Sequence, residues 1–117
     1  MRRAIFLALV VSVVLPSTAP RAAVLRDGDE LFKYCTATIG AFMDYCFGYV
    51  DAIADLLLNQ DRVAGIGACF PATLPDDPAL RNVVVAYLRR SEVSRRQNAA
   101  VLVARALAEA YPCDPRR

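Results

Sequence analysis

The sequence predicts an all-α fold, a compact four-helix bundle-like domain that two disulfides hold together. Four segments after residue 24 repeat apolar side chains at steps of three and four, which is the spacing of one helix face. Prolines and capping residues separate most of these segments. The chain also contains 4 cysteines, and an even number in a small chain is typical of disulfide-bonded exported domains.

The N-terminus has the pattern of a secretory signal peptide. Two arginines precede an apolar run over residues 4–15, and Pro16 and several small residues follow. A membrane-spanning helix needs roughly 20 apolar residues, so this run is too short for a stable membrane anchor. We therefore expect residues 1–23 to be a cleaved signal, with the cut within 19–23. Residues 24–117 then form a single helical domain that is exported to an oxidising compartment.

Removing the predicted signal changes what the charge of the chain implies. The whole chain has 14 basic and 12 acidic side chains, a formal net charge of +2. Residues 1–23 hold three of the arginines and no acid, which leaves 11 basic against 12 acidic groups and a net charge of −1. The apparent basicity belongs to the signal, so we expect no nucleic-acid partner.

The first two helices are predicted on either side of residues 36–41. One begins at Asp27, with Glu30 at the capping-box spacing, and its C-terminal end stays open. The other runs from Phe42 to Asn59 and ends in a polar, glycine-containing segment. Its apolar face is predicted to consist of Phe42, Cys46, Tyr49, Val50, Ile53, Leu56 and Leu57.

The third helix follows a segment with three prolines. Asp76 or Asp77 is predicted to cap it, with Pro78 at its first position. The run Val83–Val85 alone suggests a strand, but the caps and the spacing through Leu88 favour a helix. Its apolar face is predicted to consist of Leu80, Val83, Val84, Tyr87 and Leu88.

The fourth helix is predicted to open with a second capping box, Ser94-Arg95-Arg96-Gln97. Its alanine-rich composition favours a helix strongly, and its apolar face extends to Tyr111. Pro112 ends it.

Helix geometry ranks the three pairings that four cysteines allow. Cys35 lies near the end of the first helix and Cys46 near the start of the second, so antiparallel helices bring them to the same end of the bundle. Cys69 follows the second helix at the other end, and the fourth helix returns Cys113 to that end. A disulfide needs Cα atoms within about 7 Å. We therefore favour Cys35–Cys46 and Cys69–Cys113.

Catalysis, cofactors and metals are not expected. The chain has no histidine, which excludes Ser-His-Asp and Cys-His arrangements, and oxidised cysteines are not nucleophiles. Neither a C-x-x-C pair nor a phosphate-binding glycine loop is present. Asp51 and Asp55 share a helix face and could do acid–base work only if buried together.

Two groups of charged residues are candidates for binding a protein partner. One is the face with Asp51 and Asp55. The other surrounds the turn between the third and fourth helices. An ordinary solvated surface is the alternative for each group. The turn group consists of Arg89, Arg90, Glu92, Arg95 and Arg96.

Four motifs lie in order along the predicted helical domain: Cys46-Phe47-Gly48-Tyr49-Val50 followed by Asp55, Cys69-Phe70-Pro71, Val84-x-x-Tyr87-Leu88 and Ala106-Leu107-x-x-Ala110-Tyr111-Pro112-Cys113. Together they resemble the Rap/Tai immunity proteins, which protect bacteria against amidase effectors of the type VI secretion system. The resemblance spans roughly Leu31 to Cys113. Two departures lie at Ala52, where glycine is usual, and at Ser91–Arg95, where the family often has Pro and His.

This resemblance implies an all-helical periplasmic protein, usually a homodimer, that binds a peptidoglycan amidase and occludes its active site. An inhibitor of that kind needs no catalytic residue. Two other functions stay open from the residues: a small acid-stress periplasmic chaperone of the HdeA type, and a non-catalytic structural protein of the cell envelope.

Overall fold

Three of the four helices begin at a side chain that accepts a hydrogen bond from the first turn. The computed structural model describes residues 25–114, and the predicted signal peptide lies outside this range. The prediction of an all-α fold is confirmed. The helices are α1 (Gly28–Cys35), α2 (Gly40–Leu58), α3 (Asp77–Arg89) and α4 (Ala99–Ala110), with a short 3-10 turn at Ser94–Arg96.

The caps of α1 and α3 lie where the sequence predicts them. Asp27 accepts a hydrogen bond from the backbone N–H of Glu30, and Asp76 accepts one from that of Ala79. Each carboxylate satisfies a donor that the helix itself leaves unpaired. Pro78 is the second residue of α3 rather than the first, because Asp77 already has helical geometry.

The predicted start of the fourth helix is wrong by four residues, because the capping residue is Asn98 and not Ser94. α4 begins at Ala99, and Asn98 caps it by accepting from the N–H of Val101. Gln97 is extended instead of helical, with φ −79° and ψ 170°. Its carbonyl accepts from the N–H of Gly28 at 3.1 Å, and the N–H of Ala99 donates to Arg26 at 2.9 Å. These long-range backbone bonds outweigh the local capping-box pattern.

The four helices enclose one core. α2 contributes Cys46, Val50, Ala54 and Leu57, all less than a tenth exposed. The predicted apolar face of α2 is partly wrong, because Phe42 and Leu56 are 44 % and 45 % exposed. The other large side chains that are nearly fully buried are Leu31, Val84, Leu88, Leu102, Val103 and Leu107.

Two disulfides join the elements in the pairing that helix geometry favours. Cys35, the last residue of α1, pairs with Cys46 in α2, and their Cα atoms are 5.0 Å apart. Cys69 pairs with Cys113 beyond α4, with 4.9 Å between the Cα atoms. The N–H of Cys69 also donates to the carbonyl of Tyr111. Among residues 25–114 no helix is long and apolar enough to cross a membrane.

Candidate functional site

Arg95 is held inside the molecule by contacts from three directions. Its Nε donates to Asp29 at 2.7 Å, and its Nη1 donates to the carbonyl of Leu88 at 3.3 Å. The guanidinium carbon lies 4.5 Å from the centroid of the Phe32 ring. Only 13 % of the side chain is exposed. Arg95 therefore joins the 3-10 turn to α1 and α3.

Arg90 connects the last turns of α3 and α4. Its guanidinium forms two hydrogen bonds with Glu109, at 3.0 and 2.6 Å, and lies 5.0 Å from the Tyr87 ring centroid. The hydrogen bond from Arg90 lowers the pKa of Glu109 below its usual value. More than half of each side chain in this pair is exposed, so salt screens the attraction.

The remaining members of the turn group point outward. Glu92 is 87 % exposed and lies 3.8 Å from Arg95, a weak contact. Arg89 and Arg96 are exposed and form no ion pair within the part of the chain that the structure describes. The predicted role of this group in partner binding stays a prediction.

The second candidate face forms one side of a groove between α2 and the beginning of α3. The groove has a volume of about 270 Å³. We call it the acidic groove. Asp77, at the start of α3, joins Asp51 and Asp55 there. The residues that line it are Asp51, Ala54, Asp55, Leu58, Phe70, Leu74, Pro75, Asp77 and Leu80.

The three carboxylates of the acidic groove repel one another. Partial burial raises the pKa of Asp51, and the negative charges of Asp77 and Asp55 raise it further. No arginine or lysine forms an ion pair with these carboxylates within residues 25–114. The groove therefore has negative charge that no cation of the described residues neutralises in an ion pair.

The walls of the acidic groove are apolar. Ala54 and Leu80 are nearly buried and form its floor, whereas Leu58 and Leu74 are 43 % and 53 % exposed. Phe70 contributes an aromatic surface, and its ring packs against Tyr111 at a centroid distance of 5.0 Å. The groove thus combines exposed hydrocarbon with three carboxylates.

A second apolar face of α2 points away from the core. We call it the outer face of α2, and it comprises Phe42, Tyr45, Ala52 and Leu56. Phe42 and Tyr45 pack on Tyr34 at centroid distances of 5.4 and 4.5 Å. These positions repeat at steps of three, seven and four, which is a heptad spacing. The sequence alone did not distinguish this face from the buried face of α2, because both faces are apolar and adjacent.

The described residues offer no set of ligands for a metal ion. Asp51 is only partly buried and Asp55 is exposed, so the two are not enclosed together as acid–base chemistry would require. The acidic groove is instead suited to holding a cationic group, because its carboxylates accept hydrogen bonds and its apolar side chains can pack against the hydrocarbon part of such a group.

Comparison with known proteins identifies one family. Residues 27–113 match the family model of the Rap1a immunity proteins. The matched range begins at the cap of α1 and ends at the second disulfide, so it includes all four helices. No curated protein and no solved structure matches the chain.

Proposed function

We propose that this chain, which belongs to the Rap1a immunity protein family, is exported to the periplasm and binds a peptidoglycan amidase effector there. Binding covers the active site of the amidase, so protection needs no reaction on the part of the inhibitor. The observation that carries this proposal is the family match over residues 27–113, which spans every helix of the domain.

Two features support a periplasmic location. All four cysteines are paired in disulfides, which persist in oxidising compartments and are rare in the cytosol. The pattern of residues 1–23 is that of an export signal. The periplasm is also the compartment where peptidoglycan is exposed to hydrolases.

The amidase is the proposed target because the motifs resemble those of the Rap/Tai proteins. The test is protection of living cells. An amidase encoded beside this chain's gene is directed to the periplasm of a sensitive host, with or without the chain. We expect lysis without the chain and growth with it. The matched control lacks residues 1–23 and should give no protection.

Inhibition by the purified protein separates this function from its alternatives. The exported, oxidised chain should block hydrolysis of isolated peptidoglycan by the amidase at a one-to-one ratio of active sites. Full hydrolysis in the presence of excess chain would contradict the proposal. Protection of many unrelated proteins from aggregation, seen only at acid pH, would instead favour the chaperone.

We also propose that two copies pair through the outer face of α2. Phe42, Tyr45 and Leu56 are each more than a third exposed and follow a heptad spacing, which suits packing against a second helix. Leu56→Glu should convert a dimer to a monomer in light scattering after size-exclusion chromatography. Val93→Glu, at a 74 % exposed position in the turn between α3 and α4, is the matched control. A wild-type monomer would contradict the pairing.

A further inference from the structure

We propose that the acidic groove is the docking site for an arginine side chain of the effector, on a segment where apolar residues flank that arginine. This inference rests on the proposed function, because it takes the amidase effector as the partner. The chemistry of the occupant follows from the groove alone, through the charge of Asp51, Asp55 and Asp77 and the hydrocarbon of Leu58 and Leu74.

Charge complementarity selects a cation. The pKa of Asp51 is raised by burial and by the negative charges of Asp77 and Asp55, so the groove makes ionisation of Asp51 harder. A cation placed among them removes this repulsion and gains attraction to all three. Elsewhere the chain supplies such a cation itself: Arg95 pairs with Asp29, and Arg90 pairs with Glu109.

The shape of the groove favours arginine over lysine. A guanidinium is planar and offers five donors, so it can bridge two carboxylates while its flat face lies on the Phe70 ring. The hydrocarbon stem of the arginine packs along Leu58 and Leu74, and this contact reduces the solvent-exposed surface of both leucines. Apolar neighbours of the arginine would cover the same two leucines. An acidic or wholly polar segment would leave them exposed and add repulsion.

The docking site is separate from the turn group. Asp77 and Arg89 are the first and last residues of α3, and twelve helical steps place them about 18 Å apart. A partner that binds only the acidic groove therefore leaves the turn group accessible. A partner that contacts both regions needs a broad interface. Substitutions in the groove consequently report on this site alone.

The first test uses a defined probe and the protein purified from the periplasm after export. The probe is the peptide N-acetyl-Leu-Arg-Leu-amide, and its control has citrulline in place of arginine, which keeps the shape and removes the charge. We expect NMR shift changes at the amides of Asp51, Asp55, Phe70 and Asp77, with affinity for the citrulline peptide at least about tenfold lower. Equal affinities, or shift changes confined to other surfaces, would overturn the inference.

Matched variants separate location from net charge. Asp51→Asn with Asp77→Asn removes two charges from the groove, and Asp44→Asn with Asp61→Asn removes two from exposed positions that do not line it. The first pair should weaken binding of the peptide and of the amidase at least about tenfold, and the second pair should leave both unchanged. Circular dichroism and the urea midpoint confirm that each variant is folded.

Leu74→Ser tests the apolar wall without changing any charge. Leu74 is 53 % exposed, so the fold should tolerate the substitution. Weaker binding of the arginine peptide is expected, and unchanged binding would show that the leucine wall takes no part. Shift changes at the groove that grow with protein concentration, without any peptide, would assign it to a second copy of the chain and overturn the inference.

The outcomes distinguish this inference from the proposed function. If both pairs of variants inhibit the amidase as well as the wild type does, the groove is not the docking site. The proposed immunity function would then remain intact. If the arginine peptide binds the groove but the chain inhibits no amidase, the result contradicts the immunity function. The groove would then still be a binding site for an arginine side chain.

Discussion

The two charged regions at the ends of α3 use their charges differently. At the C-terminal end, Arg95 is 13 % exposed and contacts Asp29, the Leu88 carbonyl and the Phe32 ring. At the N-terminal end, Asp51 and Asp77 share a groove with no cation from the described chain. The first arrangement stabilises the fold, whereas the second leaves repulsion that a bound cation would relieve.

This difference shows which charges are available to a partner. A charge that is already paired within the molecule must lose that pair before it can bind elsewhere, and the lost pair subtracts from the affinity gained. A charge in an apolar groove without a counter-ion gains on binding instead. Four substitutions test the contrast, from the largest expected effect on stability to the smallest.

Arg95→Ala should have the largest effect. It removes the ion pair with Asp29, the bond to Leu88 and the packing on Phe32, so we expect a loss of about 2–3 kcal/mol in the free energy of unfolding. Urea denaturation measures it. Arg89→Ala, at an exposed position without an ion pair, is the control and should change stability by less than about 0.5 kcal/mol. If Arg95→Ala is as stable as the wild type but binds the amidase more weakly, Arg95 serves partner binding and not the fold.

Gly28→Ala should disturb the backbone that supports Arg95. An added Cβ would lie 2.5 Å from Leu102 Cδ1 and 2.6 Å from the carbonyl oxygen of Arg95, both too close. We expect a loss of about 1–3 kcal/mol. Gly48→Ala is the matched control in α2, since its Cβ meets nothing within 4 Å, and it should gain about 0.5–1 kcal/mol. A neutral Gly28→Ala would show that the 3-10 turn moves freely against α1.

Glu109→Gln should cause a smaller loss that depends on salt and pH. The folded-state pKa of Glu109 is lowered by Arg90, so its stabilisation is present above the unfolded pKa and disappears as the pH falls through the lowered value. The difference from wild type should therefore be seen at neutral pH and low salt, and vanish in about 1 M salt. Thermal unfolding at two salt concentrations measures it, and a difference independent of salt would contradict the ion pair.

Asp51→Asn should have the smallest effect on stability and the opposite sign. Because the folded-state pKa of Asp51 is raised, its ionised form disfavours the folded state at neutral pH, and this penalty disappears as the pH falls through the raised value. We expect a gain of less than about 0.5 kcal/mol at pH 7 and none at acid pH. Carboxyl-carbon NMR should show a raised pKa for Asp51 compared with an unperturbed aspartate. A destabilised Asp51→Asn would mean that the carboxylate has a partner in the fold.

The parts of the fold that sequence predicts are those fixed by neighbours in the chain. Asp27 and Asp76 cap their helices through donors only three residues away, and the disulfides follow from helix direction. The start of α4 was mispredicted because Gln97 bonds to Gly28, far away in sequence. The site shows the same limit: the Asp51–Asp55 spacing was visible, but the addition of Asp77 requires α2 to pack beside α3.

The order of the disulfides has a consequence for how the chain matures. The first cysteine pairs with the second and the third with the fourth, over separations of 11 and 44 residues, so the two closed rings neither overlap nor enclose each other. A polypeptide that emerges N-terminus first can form the Cys35–Cys46 bond before Cys113 appears. Neither native disulfide then has to replace a non-native one. Ring closure should restrict the unfolded chain by about 3 kcal/mol and about 4 kcal/mol respectively. If the two bonds form in this order, the chain needs an oxidant and no exchange of one disulfide for another.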